Sequence, residues 1–210
     1  MNALKILGQT GGDWILIILL LCSVLAVAVI IDRAILLYRE RSATLFLLEK
    51  IRQVLRDGKL EEAKAVAAAN PCLTSNVLLE LLEHTHQGIE SLEERLAAAR
   101  LRGKILLEKR LLILGTLGAN APFIGLFGTV LGIIKAFHDL AFSGGAGPEV
   151  VMAGLADALI ATALGLMVAI PSVIAFNYFQ KRLKDWIQET EYLARLVVAE
   201  LKSQTQTSRP

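Results

Sequence analysis

Three long stretches of this chain carry no charged residue: 14–31, 111–134 and 158–179. A helix needs roughly 20 predominantly apolar residues to cross a hydrocarbon layer of about 30 Å. No water is present there to satisfy backbone N–H and C=O groups, so spanning segments are helices or closed barrels. Runs of this length, with apolar residues filling 54% of the 210-residue chain, predict an all-α membrane protein with three transmembrane helices. The third apolar pattern begins near Val150, so that span is drawn as 150–179.

The first run is not expected to be a cleaved leader. Ala26-Val27-Ala28 fits a small-x-small cleavage pattern, but the bases Arg33, Arg39 and Arg41 follow the run instead of preceding it. Lys and Arg counts set the orientation. The segment 1–13 holds one, 32–110 fourteen, 135–157 one, and the tail from 180 six. This predicts an outer N-terminal segment (1–13), span one (14–31), a cytoplasmic region (32–110), span two (111–134), a short periplasmic loop (135–149), span three (150–179) and a cytoplasmic C-terminal segment (180–210).

The cytoplasmic part reads as helical throughout. Span one is expected to continue to about Arg56 and break at Asp57-Gly58. Helices then cover 60–69, ended by Asn70-Pro71, and 73–87, ended by Gly88. Ser91-Leu92-Glu93-Glu94 has capping-box form and predicts the start of another helix. With no Pro or Gly cluster after it, 92–134 reads as one rod of ~65 Å at 1.5 Å per residue. The tail 180–202 carries helical periodicity, and 203–210 is expected to be disordered. Residues 58–71 resemble half of a helical-repeat unit but occur once, which suits a plain helical hairpin.

Several chemistries lack their residues. There is no Walker-type phosphate loop; Gly144-Gly145-Ala146-Gly147 has no following Lys-Ser/Thr and suits a flexible outer turn. Cys22 and Cys72 form no metal-spaced pair and are expected to be free thiols. His84, His86 and His138 read as ordinary surface residues. No nucleophile–base pair is evident, so an enzyme is not indicated. The cytoplasmic bases are interleaved with acids, which argues against nucleic acid as a partner.

Helices associate in lipid through small residues and a few polar contacts. At about 100° per residue, Gly118, Pro122, Gly125, Thr129 and Gly132 share one face of span two, and Gly128 and Gly132 form a GxxxG. In span three, Ala158, Thr162, Gly165 and Ala169 share a face. Both helices therefore suit close packing. Span two runs outward and span three inward, so Thr129 lies about 7 Å below Ile134, the outer end of span two, and Thr162 about 7 Å below Asp157. Spacing alone leaves two readings open for these hydroxyls, a polar contact between helices or a bond to each residue's own i−4 carbonyl. Pro122 and Pro171 are expected to kink their helices, freeing the carbonyls of Gly118 and Met167.

Asp157 also has two readings. It is a solvated acid at the outer boundary, or, if the helix starts at Pro148-Glu149, an acid roughly 12 Å inside. An intramembrane carboxylate is costly and marks a functional site.

APFIGLFGTVLGIIKAF (121–137) and GLADALIATALGLMVAIPSVIAFNYF (154–179) resemble the paired signatures of the ExbB/TolQ/MotA family of proton-channel proteins, and the three-span layout is similar to the ExbB/TolQ type. The resemblance implies a homopentamer around two copies of a single-span ExbD- or TolR-like partner whose membrane Asp is essential. It implies proton flow past that Asp in a bacterial inner-membrane motor, with motion passed to a TonB- or TolA-like effector. Protons are the coupling ion, and no other cofactor is implied. The family's pore threonines map onto Thr129 and Thr162, and its span-three acid, usually Glu, onto Asp157. Lys135 departs from the family pattern. Asp157 and Thr162 are roughly 140° apart around the helix at about 100° per residue. Thr162 is therefore expected to face the pore with Thr129, and Asp157 a neighbouring span-two helix or the pore's edge. The alternatives are a gliding-type motor subunit of the same family and a passive membrane scaffold.

Overall fold

The structure is a computed structural model that describes residues 13–57, 59–85, 88–142 and 148–207. Six helices account for nearly all of them: α1 (Asp13–Arg56), α2 (Leu60–Ala69), α3 (Leu73–Glu83), α4 (Ile89–Glu108), α5 (Leu111–Phe142) and α6 (Pro148–Thr207). No strand occurs among the described residues. Three of the helices, α1, α5 and α6, are long and apolar enough to cross a membrane. The chain is thus an all-helical, multi-pass membrane protein.

The chain divides into two compact units. One comprises residues 1–32 and 110–178, the other residues 33–109 and 179–210. In the first unit, Ile15 and Leu19 of α1 pack with Ala121 and Leu131 of α5 and with Val168 and Ala169 of α6. Little else is covered. Only 22%, 33% and 28% of the most apolar window of α1, α5 and α6 is buried, and Leu20, Phe123, Leu159 and Met167 are exposed. Apolar side chains on every face are what lipid or further helices require.

In the second unit, Leu47, Ile51 and Leu55 of α1 close over Ala63 and Ala67 of α2, Leu78 and Leu82 of α3, and Leu193 and Val197 of α6. Val77 and Leu81 of α3 join Leu92 and Leu96 of α4 and Ala194 of α6 in an adjoining cluster. Local chemistry sets the helix ends. Helix α2 has Glu61 and Glu62 in its first turn, where the helix dipole favours acids. At its end the Asn70 side chain donates to the Val66 carbonyl at 2.9 Å, and Pro71 cannot continue the helix. Helix α3 starts with a capping box built from Cys72 and Ser75. The Ser75 N–H donates to Cys72 Sγ at 3.3 Å and the Cys72 N–H to Ser75 Oγ at 2.8 Å. Burial pushes the Cys72 thiol above the ordinary range. Both cysteines are free thiols.

Some expected boundaries differ. The end of α1 at Arg56 and the bounds of α2 match the expectation; Gly58 lies outside the described residues. Helix α3 stops at Glu83, short of the expected Gln87, with His84 as its C-cap. Its ring Nδ1 lies 2.9 Å from the Glu80 carbonyl and satisfies that helix-end acceptor. Helix α4 is capped by Gly88, not by Ser91, which lies inside it. The expected rod over 92–134 is interrupted: Lys109 caps α4 and Arg110 takes φ 67° before α5 begins. A non-glycine residue rarely adopts a positive φ. In the first unit, Arg110 Nη1 donates to Asp32 at 3.1 Å. Helix α5 continues past Ile134 to Phe142, and α6 runs to Thr207, so 203–207 is helical and not disordered. His86, the 144–147 turn, residues 208–210 and all but the last residue of 1–13 lie outside the described residues.

Candidate functional site

The site lies in the first unit, where α5 and α6 pack through their small residues. A Cβ added to Gly125 would sit 2.7 Å from the Ala161 carbonyl oxygen, and one on Gly165 would sit 2.6 Å from that of Ala121. Each glycine thus faces the backbone of the other helix. At Gly132 the obstacle is Ala158, at Gly118 it is Val173, and at Gly128 it is Ala161 together with Ile15 of α1. The residues read as packing positions (Gly118, Gly125, Gly128, Gly132, Ala158, Gly165) therefore meet across one seam, while Ala169 belongs to the core beside it. Two contacts were not anticipated. Gly154 faces Ala136, and Ser172, next to Pro171, donates to the Val168 carbonyl at 2.7 Å. Both helices run through their prolines, Pro122 and Pro171, without ending.

This close approach brings Thr129 and Thr162 into hydrogen-bond contact through their hydroxyls. Thr129 Oγ1 also lies 3.2 Å from the Gly125 carbonyl on its own helix and 3.2 Å from the Ala158 carbonyl on α6. Both readings of the hydroxyl are therefore realised in Thr129. The Ala158 carbonyl is four residues before Thr162, the acceptor a local bond from Thr162 would use, and Thr129 reaches it across the seam. A hydroxyl carries one proton and two acceptor lone pairs. When Thr129 gives its proton to a carbonyl, Thr162 must be the donor in the Thr129–Thr162 bond. Thr129 is buried and Thr162 half-buried, so the chain of hydroxyls ends at the more accessible residue. Asn120 is exposed and donates to the Thr116 carbonyl of its own helix, 2.9 Å away.

Asp157 does not join this pair. Its side chain is exposed and lines a cleft of about 300 Å³ with Lys135 and Asp139 of α5. Gly128, Gly132, Ala158 and Ala161 form part of the same cleft, so it adjoins the threonine pair. Helix α6 begins at Pro148, with Glu149 in its first turn, which is the helix start the inner reading of Asp157 requires. His138 is exposed, 3.7 Å from Asp139, with its ring against Phe142.

The second unit holds a polar cluster that no motif announces. Thr74 Oγ1 lies 2.8 Å from Thr44 Oγ1 and 3.1 Å from Thr190 Oγ1, and it accepts from Trp186 Nε1 at 2.9 Å. All three threonines are fully buried. The Trp186 ring lies against Gly103, where any Cβ would strike it.

A multi-pass helical protein with a glycine-lined seam, paired hydroxyls across it and a charged cleft beside it is the class these features define. The chain belongs to the MotA/TolQ/ExbB proton channel family, whose model it matches over residues 64–192. It is 46% identical over 85 residues to the biopolymer transport protein ExbB of Aquifex aeolicus, covering 40% of this chain and 57% of that one. It is 55% identical over 71 residues to ExbB of Helicobacter pylori, covering 34% of this chain and 49% of that one. The chain thus spans about half the length of these two relatives. Against ExbB of Neisseria meningitidis the identity is 29% over 205 residues, with 91% of this chain and 93% of that one covered.

Proposed function

We propose that the chain is a proton-channel subunit of an ExbB/TolQ-like inner-membrane motor driven by the proton-motive force. In this reading five copies surround two copies of an ExbD- or TolR-like single-span partner, and the assembly energises TonB- or TolA-dependent processes at the outer membrane. The N-terminus is periplasmic and the C-terminus cytoplasmic, as the Lys and Arg distribution favours. The contact that carries the reading is the Thr129–Thr162 hydroxyl pair across the α5–α6 seam. Here Thr162 remains half-buried with acceptor capacity to spare, which suits a wall facing water or a partner's carboxyl. Each proton crossing supplies about 2.3 kcal/mol per 100 mV.

The test is proton uptake into liposomes holding the chain, with and without its partner. Uptake is expected only with the partner present and is expected to fall at least tenfold in Thr162→Val. Equal uptake in Thr162→Val and wild type would remove Thr162 from the path. A native mass of the complex checks the five-to-two stoichiometry.

A further inference from the structure

The cleft beside the threonine pair carries an ammonium as well as carboxylates, and this asymmetry has a chemical consequence. Lys135 and Asp139 are four residues apart on α5 and so stack on one helix face. Asp157 immediately precedes Ala158, the residue that meets Gly132 across the seam. A lysine from one helix and an aspartate from the other therefore enter one cleft of about 300 Å³. Among the described residues neither Lys135 nor Asp157 is locked in a contact ion pair, whereas Asp139 has His138 at 3.7 Å. Lys135 is half-buried and lines the cleft that both carboxylates share, so its charge acts on the whole cleft and not on one partner.

A metal cation and a proton respond differently to such a group. Hard cations need several oxygen ligands at short range and an uncancelled negative field. An ammonium in the same cleft offers three donors and no acceptor, and it already supplies the positive charge that the two carboxylates would otherwise draw from a metal ion. A proton needs no coordination shell. It moves by exchanging O–H bonds along carboxylates, hydroxyls and water, and the cleft adjoins the hydroxyls that could receive it.

We propose that Lys135 is a specificity-determining residue of the path: its ammonium, sharing a cleft with Asp157 and Asp139, excludes Na⁺ and K⁺ while leaving the route open to protons. The proposal rests on the proton-channel reading above. It is tested in liposomes holding the full chain with its partner, recording H⁺ and Na⁺ uptake with separate dyes under the same imposed potential. Wild type is expected to take up H⁺ with Na⁺ at the level of empty liposomes. Lys135→Glu changes the formal charge of the three cleft side chains from −1 to −3 and is expected to raise the Na⁺/H⁺ uptake ratio at least tenfold. Lys135→Gln, similar in length, is expected to raise it severalfold, and Lys135→Arg to restore it towards the wild-type value. Native mass confirms assembly of each variant, and the near-isosteric Gln variant decides the matter if the Glu variant does not assemble. An unchanged ratio in Gln and Glu variants that still take up H⁺ overturns the role of Lys135 alone. Na⁺ uptake by wild type overturns it as well. Absence of H⁺ uptake by wild type overturns the proton-channel reading and this inference together.

Discussion

Adding one methyl group at Gly165 tests whether the seam holds the hydroxyl pair together. A Cβ there would sit 2.6 Å from the Ala121 carbonyl oxygen and 3.1 Å from the Gly125 Cα, and ordinary contact begins at 3.4 Å. The obstacles are backbone atoms, which no rotamer change can move. In Gly165→Ala the helices must therefore separate by about 0.8 Å, the difference between 3.4 and 2.6 Å. Nearby on the same seam, Thr129 Oγ1 lies 3.2 Å from the Ala158 carbonyl. Separation on that scale carries the bond beyond hydrogen-bonding range. Overpacking costs about 1–3 kcal/mol, and an interhelical hydrogen bond in a membrane is worth about 0.6 kcal/mol and at most about 1.7. The expected loss is about 2–4 kcal/mol, roughly 30- to 700-fold in the folding equilibrium. Reversible unfolding in mixed SDS micelles measures it. Trp14, edge-on to Phe127 at 6.3 Å, is the reporter, and Trp186→Phe in both proteins removes the second tryptophan. Because the effect acts partly through Thr129, Thr129→Val should cost less in the Gly165→Ala background than alone. Strict additivity, or a Gly165→Ala protein within about 0.5 kcal/mol of the parent, would refute the coupling of seam to hydroxyls.

Two further outcomes concern the second unit. Thr74→Val leaves Trp186 Nε1 and two threonine hydroxyls short of a partner and is expected to destabilise that unit by about 2–4 kcal/mol, read as a lower denaturation midpoint. A change below about 0.5 kcal/mol, the range of an ordinary surface substitution, would show that the cluster is not a stabilising network. Burial pushes the carboxyls of Glu40 and Glu189 above the ordinary glutamate range, although the Leu73 N–H, 2.9 Å from Glu40, and the nearby Arg41 of Glu189 oppose it. A carboxyl whose folded pKa is raised contributes stability that is fully present below the unfolded pKa and lost as pH rises through the folded one. The denaturation midpoint should therefore fall as pH climbs through and above the ordinary glutamate range, and Glu40→Gln, whose amide oxygen can still accept from Leu73, should flatten that fall; an unchanged slope would discount Glu40.

The three long helices and the small-residue faces were legible because both follow from periodicity. Uncharged runs announce the spans, and a step of about 100° per residue puts Gly125 and Thr129 together. Which residue meets which across the seam was not legible, because register between helices depends on packing that no single segment encodes. Hence Gly132 opposite Ala158 and Gly154 opposite Ala136 emerged only in three dimensions. The break at Arg110 was missed because a positive φ there is made by an ordinary residue with no Gly or Pro signal. The cap of α3 was missed because Cys72 is not among the usual capping residues. Thr74 lies 30 residues from Thr44 and 116 from Thr190 along the chain, and nothing local connects them.

The angular offset between Asp157 and Thr162 takes on meaning once both surroundings are known. Thr162 is bonded to Thr129 and Asp157 opens into the Lys135 cleft, so the two occupy separate surroundings and, in the proton-channel reading, are successive stations. Hydroxyls relay hydrogen bonds but do not store a proton at neutral pH, since only a group with an accessible pKa can. None of the three uncharged runs, 14–31, 111–134 and 158–179, contains an acid, a histidine or a lysine. Inward of the threonines these spans therefore offer protons no carboxyl, imidazole or amine through the rest of a hydrocarbon layer about 30 Å thick. In the proton-channel reading, a carboxyl from a partner helix is a chemical requirement of the path, and Thr162, at the accessible end of the hydroxyl chain, is where this protein can accept a hydrogen bond from that carboxyl in its protonated form.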